Sequence, residues 1–193
     1  MKALLVIDVQ ESFRQRENWA AISQSDIVGQ VTKLVDHARQ GGDQVVWIVH
    51  HEPGSAGVFD PELGFTRLID GLVPRAAEPL FSKTSHNAFS TTGLQQYLVT
   101  QGITDLQICG IRTEQCCETT ARVASDLGYS VEFVVDATAT QPIEHWNAPK
   151  DRQLQEVLAD PLTLDVESII QRTCYALSGR FATIRTVQEV LAG

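Results

Sequence analysis

The chain has few cysteines, no long apolar run and no cluster of basic residues, and each absence removes a class of protein. Four cysteines (Cys109, Cys116, Cys117 and Cys174) in 193 residues do not form the framework of a disulfide-stapled secreted domain. The thiols are therefore read as reduced and the protein as cytoplasmic. No apolar stretch is long enough to cross a bilayer. The opening run Met1-Lys2-Ala3-Leu4-Leu5-Val6-Ile7-Asp8 is short, ends in a carboxylate and has no small-residue cleavage site after it. It reads as a first strand rather than a signal peptide. With a net charge of −9 and no run of Lys or Arg, nucleic acid and anionic membrane are excluded as main partners. No internal repeat, low-complexity segment or linker divides the chain, so residues 1–193 are expected to be one domain.

What is present is a soluble-type composition, 43% hydrophobic and 20% charged, sufficient for a sizeable core. Hydrophobic periodicity alternates between strand and helix. Lys2 to Val9, Gln44 to His50, Leu80 to Lys83, Asp105 to Gly110 and Ser130 to Val135 read as strands. Phe181 to Ile184 reads as a last edge strand. Helices are predicted over Ser25 to Gln40, Thr91 to Gln101, Glu114 to Leu127, Lys150 to Leu158 and Asp165 to Leu177, with a terminal helix from Val187. A loop rich in Gly and Pro follows the second strand, with a short helix expected near Thr66 to Leu72. This order predicts a three-layer α/β/α fold of Rossmann type with a mostly parallel central sheet. In such sheets ligands bind beyond the carboxyl ends of the strands. Asp8, Lys83 and Cys116 all lie at or just past strand ends, so three chemically useful groups are expected on one edge.

The segment Gly110-Ile111-Arg112-Thr113-Glu114-Gln115-Cys116-Cys117 leads from a strand into a helix. Backbone N–H groups and the helix dipole there favour thiolate, which makes Cys116 a candidate nucleophile. The bland reading of each residue stands beside the functional one. Asp8 is otherwise a turn or capping residue, Lys83 a surface lysine and Cys116 a buried structural thiol.

Three motifs together, Asp8-Val9-Gln10, Phe81-Ser82-Lys83 with Phe89 downstream, and Gly110-x-x-Thr113-x-x-Cys116, resemble the isochorismatase-like cysteine hydrolases over nearly the whole chain. The resemblance implies a catalytic triad of Asp8, Lys83 and Cys116, a non-proline cis peptide at Ile111–Arg112, and an oxyanion hole from the backbone N–H groups of Arg112 and Cys116. It implies hydrolysis of a C–N bond in a small amide, carbamoyl or ureido compound through a thioester, without a cofactor, in a homo-oligomer. Nicotinamidases of this superfamily carry an Asp-x-His…His metal site. Here Ile48 and Val49 stand two places before His50 and His51, so no metal is expected. True isochorismatases lack the nucleophilic cysteine, so Cys116 favours amide chemistry over vinyl-ether cleavage.

His86, Asn87, Phe89 and Gln115 are candidates for the substrate pocket, with Phe89 expected to pack beneath the site. Arg112 and Gln115 could bind a substrate carboxylate or amide, or face solvent or a neighbouring subunit. Cys109 and Cys174 read as structural thiols, Cys117 as facing the core, His50 and His51 as strand-end or loop residues, and Trp146 as a lid or packing residue. Isochorismatase-type hydrolysis of another small metabolite, a non-catalytic binding member of the superfamily, and a thiol redox protein using Cys116 with Cys117 are the alternatives.

Overall fold

The first strand sets the architecture, because both of its faces are apolar. In the computed structural model, which describes residues 1–193, β1 (Lys2–Ile7) is buried on both sides. Leu4 and Val6 enter a core on one face of the sheet, and Ala3, Leu5 and Ile7 enter a second core on the other. A short helix α1 (Glu11–Arg14) and a 3₁₀ turn at Glu17–Ala21 follow, then α2 (Ile27–Gly41) and β2 (Gln44–His50). After a long loop come β3 (Leu80–Lys83), α3 (Leu94–Thr100) and β4 (Asp105–Ile111). The second half contains α4 (Glu118–Asp126), β5 (Ser130–Ala139), α5 (Leu154–Ala159), α6 (Val166–Leu177), β6 (Thr183–Arg185) and α7 (Val187–Leu191). α2 and α7 cover one face, with Ile27, Val31, Leu34, Val187 and Val190 in its core. α3, α4 and α6 cover the other through Leu94, Leu98, Ala121, Ala124 and Leu177. Each fully buried aliphatic side chain contributes about 1.5–3 kcal/mol, so the two apolar layers supply most of the drive to fold.

The six strands lie in the order β3-β2-β1-β4-β5-β6, and every pairing is parallel. The chain runs outward from β1 through β2 and β3, then returns to start again at β4. The reversal falls between β1 and β4, and the crevice beyond their carboxyl ends is where such sheets bind ligands. Gly110 makes the close approach there possible. It has φ of 131° and is in register with Ile7, and a Cβ would sit 1.9 Å from the Ile7 carbonyl oxygen.

Besides the helix expected from Lys150, which begins only at Leu154, two expectations change. The segment near Thr66 to Leu72 is not helical; the 3₁₀ turn of this loop is at Pro61–Leu63, opened by Asp60 accepting from the Glu62 N–H. Its backbone is instead spent on the exit from β1: Glu11 N–H donates to Arg67 O, Ile69 N–H to Val9 O, and Leu68 bridges Gln10. Ile69 and Leu72 are buried, so their three-residue spacing looks helical in the sequence although the chain between them is not. The second change is at β5, which runs on to Ala139 through an irregularity opposite Cys109. Ile108 pairs with Phe133, but Gly110 pairs with Thr138.

Candidate active site

Asp8 ends β1 in a left-handed turn, φ 52°, a conformation Asp tolerates better than most residues. Its N–H still donates to Ile48 O at 2.8 Å, and the Gln10 N–H closes the turn on Asp8 O at 2.8 Å. The fully buried Gln10 then clamps the neighbouring strand end. Its Oε1 accepts from the His50 N–H at 2.6 Å, and its Nε2 donates to His50 O at 3.0 Å.

Lys83 stands at the end of β3, two strands from β1, with no exposed surface. Its length carries Nζ across the end of β2 to a point 2.7 Å from Asp8 Oδ2 and 3.3 Å from Cys116 Sγ. Nζ also lies 3.1 Å from Ser85 O and 3.3 Å from His50 Nδ1. Four acceptors thus surround an ammonium with three hydrogens. Since Nδ1 of His50 faces a donor, its ring proton belongs on Nε2, which lies 3.2 Å from Glu52 Oε1. Burial and the Lys83 charge hold His50 below its ordinary pKa, against the pull of Asp8 and Glu52.

Cys116 follows β4 after a cis peptide at Ile111–Arg112. It lies in a π-helical turn, Thr113–Cys117, that precedes α4. Such wide turns recur at functional sites. Thr113 is pinned by Thr138 Oγ1 at 2.9 Å, and the Thr120 hydroxyl donates to Cys116 O at 2.6 Å. The electrostatics depart from the expected pre-formed thiolate. Burial, aided by the Asp8 charge and opposed by Lys83, pushes the Cys116 thiol up to about 12. Burial also raises Asp8, against the opposing effect of Lys83, and neither carboxylate oxygen has a well-directed hydrogen bond. For Lys83, burial acts against the charge, but Asp8 and Cys116 outweigh it and the net shift is upward. The resting site is therefore a thiol, a carboxylate of raised basicity and an ammonium.

A cavity of about 230 Å³ opens over these groups. It is lined by Asp8 and Cys116 together with Phe13, Phe59, His50, His86 and Gln115. Asn87 and Phe89 do not line it. Asn87 caps the following turn, its Oδ1 accepting from the N–H groups of Phe89 and Ser90 at 2.9 Å each. Phe89 packs into the core and stacks on Tyr129. Cys117 and Cys109 are fully buried, Cys174 is half-buried, and Trp146 is exposed beside His145. No group of three or more His, Cys, Asp or Glu side chains is placed to hold a metal ion. Sequence reasoning passed over Phe13, Arg16 and Phe59 and placed His50 only at a strand end. For His50 the sequence held a signal, since the expected strands Gln44 to His50 and Leu80 to Lys83 end on His50 and Lys83, which the fold brings into register.

A model of the isochorismatase domain matches residues 2–164. The chain belongs to the isochorismatase family. The isochorismatase-family protein YrdC of Bacillus subtilis (strain 168) is 26% identical over 190 residues, covering 98% of this chain and 94% of YrdC. A streptothricin hydrolase of Streptomyces noursei is 35% identical over 145 residues, covering 74% of this chain and 56% of that protein. The crystal structure of an isochorismatase from Pseudomonas putida KT2440 superposes with a TM-score of 0.81 at 28% identity, covering 97% of this chain and 88% of that one. As a member of this family the chain is an isochorismatase-like hydrolase, and the Asp8–Lys83–Cys116 contacts form an Asp-Lys-Cys triad.

Proposed function

We propose that the protein hydrolyses a C–N bond of a small amide, carbamoyl or ureido compound through a covalent thioester on Cys116, residues 1–193 acting as one catalytic domain. The observation that carries this is the buried Lys83 ammonium, which touches both the Asp8 carboxylate and the Cys116 sulfur. As the sulfur attacks the carbonyl carbon, Asp8 takes the thiol proton, so a free thiolate never has to exist beforehand. The developing oxyanion is assigned to the backbone N–H groups of Arg112 and Cys116. Protonated Asp8 then gives its proton to the leaving nitrogen, the C–N bond breaks and a thioester remains. Water enters, Asp8 takes one of its protons, and hydroxide adds to the thioester carbonyl. Collapse expels the sulfur, which recovers the proton from Asp8. Lys83 remains an ammonium throughout and keeps Asp8 ionised at the start of each half-reaction.

His86 and Gln115 line the cavity and are assigned to the substrate, whereas Asn87 and Phe89 hold the surrounding backbone. The relative named streptothricin hydrolase supports hydrolysis, and the thiol over a carboxylate supports acyl transfer rather than vinyl-ether cleavage. The redox alternative lacks access, because Cys117 is fully buried. A cytoplasmic homo-oligomer belongs to the same reading; sedimentation at micromolar concentration tests the assembly. No helix is long and apolar enough to cross a membrane. The decisive experiment is a panel of small amides and ureido acids with intact-mass detection of the adduct. Cys116→Ala is expected to abolish both turnover and adduct, and Cys117→Ala to retain most of the turnover. Turnover that survives Cys116→Ala would overturn the mechanism.

A further inference from the structure

The cavity over Cys116 continues outward into a larger polar cleft of about 790 Å³, and Arg16, Arg112 and Gln115 line both chambers. Two guanidinium groups therefore stand at the passage, in unlike states. Arg112 is neutralised: its Nε lies 3.1 Å from Glu114 Oε1, and its Nη2 donates to Gln141 O at 3.0 Å. Arg152, further out, is paired with Glu144 at 2.8 Å and Asp160 at 2.7 Å. Arg16 has no carboxylate within ion-pair distance and no hydrogen-bond acceptor. Its guanidinium lies over the Phe59 ring, 4.7 Å from the centroid, and Phe59 is braced edge-on by Phe13 with centroids 5.0 Å apart.

An arginine held by an aromatic face keeps its planar fork of donors free, and that fork matches a carboxylate in two parallel hydrogen bonds. In a chain of 24 acidic residues and net charge −9, a cation at a cavity mouth without an acidic partner is a built feature. Glu52 also lines the inner chamber, but its Oε1 is engaged with His50. Glu17 faces the outer cleft. Partial burial acts against the Arg16 charge, with Glu52 supporting it and Arg112 opposing it, for a net downward shift.

We propose that Arg16 is the specificity-determining residue of the site, and that it selects substrates carrying a carboxylate on the side remote from the scissile C–N bond. The substrate class is thus an amido or ureido acid rather than a neutral amide. This rests on the hydrolase reading only for the word substrate; the anion subsite itself needs no turnover.

The test is protection of Cys116 against iodoacetamide in mildly alkaline buffer, read by peptide mass. The protecting ligands are matched pairs of increasing length: malonamate against malonamide, succinamate against succinamide, glutaramate against glutaramide. In the native protein at least one acid is expected to protect at about tenfold lower concentration than its diamide, the scale of one charge-assisted pair. Arg16→Gln should erase that preference and Arg16→Lys retain part of it. Arg16 makes no ion pair and lies at the surface with its guanidinium partly covered by Phe59, so both variants are expected to fold, and an unchanged melting temperature checks this. Acids no better than diamides at every length, or a preference that survives Arg16→Gln, overturns the subsite. Ammonia release from the same ligands separates the two readings. Acid preference without hydrolysis leaves the subsite standing and removes the hydrolase mechanism, whereas hydrolysis indifferent to Arg16 does the reverse.

Discussion

Replacing Asp8 by Asn should make Cys116 more reactive toward an alkylating agent while destroying turnover. The reason lies in three groups that share one buried charge balance. In the native site Asp8 and Lys83 neutralise each other across 2.7 Å, and ionising the thiol would add an uncompensated anion. Burial and Asp8 hold the Cys116 thiol up at about 12, so only about one sulfur in ten thousand is thiolate at pH 8. In Asp8→Asn the ammonium loses its partner. An unpaired buried charge costs about 3–5 kcal/mol, and the only other group able to supply an anion is the sulfur, 3.3 Å away. Removing one unit charge beside the sulfur changes its ionisation free energy by about 4 kcal/mol at an effective dielectric of about 20. That is about three powers of ten in thiolate fraction. A less basic thiolate is a weaker nucleophile, with a Brønsted slope of about 0.4–0.5. The net gain in alkylation rate is therefore about fiftyfold.

The assay is iodoacetamide labelling at pH 8, each cysteine quantified by peptide mass. Cys109 and Cys117, both fully buried with thiols pushed up by burial, serve as internal controls for unfolding. A rate at Cys116 that is unchanged or slower in Asp8→Asn refutes the argument, since Asp8 would then not be what keeps the thiol protonated. A native Cys116 that titrates near 8.5 refutes it equally, because burial would then not govern the site.

Other perturbations test the scaffold and its titrations. Gly110→Ala places a Cβ 1.9 Å from Ile7 O; it should cost about 3 kcal/mol or more, seen as a large fall in the urea midpoint. The acid limb of kcat/KM should contain two protonations, His50 below its ordinary 6.5 and Asp8 above its ordinary 3.8. His50→Gln should leave only the second, and an unaltered limb would remove His50 from the chemistry. At Glu78, burial is outweighed by hydrogen bonds from Arg39, the Arg75 N–H and Trp47, so its pKa is lowered. Its contribution is then present above the ordinary value of 4.5 and is lost as pH falls through the lower folded value. Glu78→Gln should cost about 1–3 kcal/mol at pH 7 and much less in acid, by urea titration at both.

The mostly parallel sheet was legible from alternating apolar runs and helical periods, and the triad from the resemblance of three motifs at or just past strand ends; the order of the strands across the sheet was not. The end of β1, where Val6-Ile7 gives way to Asp8, and that of β4, where Gly110-Ile111 gives way to Arg112, are sharp changes from apolar to polar. The short helix α1 was not legible, since its four residues, Glu11–Arg14, are too few to show a period. Nor was the extension of β5, which follows an irregularity that breaks strand alternation. Arg16 was invisible for a different reason: nothing in Arg14-Gln15-Arg16 says which guanidinium pairs locally. The fold decides that, giving Arg14 to Glu11 and aiming Arg16 over Phe59. Local placement at a helix start favours a Cys116 thiolate, whereas burial and a carboxylate from another strand, visible only in the fold, act against it.

The topology explains why the site has four groups around one nitrogen. Asp8 and Cys116 flank the reversal between β1 and β4, the one place where neighbouring strand ends open a crevice. Any cation from β3 must cross β2 to reach them, so the side chain has to be long and the residue ending β2 must accept its passage. A lysine meets the first requirement. The His50 ring, kept neutral by burial and Lys83, meets the second, because a protonated imidazole 3.3 Å from Nζ would set two like charges against each other. Three hydrogens on Nζ cannot serve four acceptors at once. The ammonium can therefore turn its third hydrogen between His50 and the sulfur as charge develops on Cys116, without leaving Asp8. Arginine, with its fixed planar fork, cannot make that exchange. Lys83→Arg should therefore lose nearly all turnover even if the ion pair to Asp8 is retained, and substantial turnover in that variant would show that charge alone suffices.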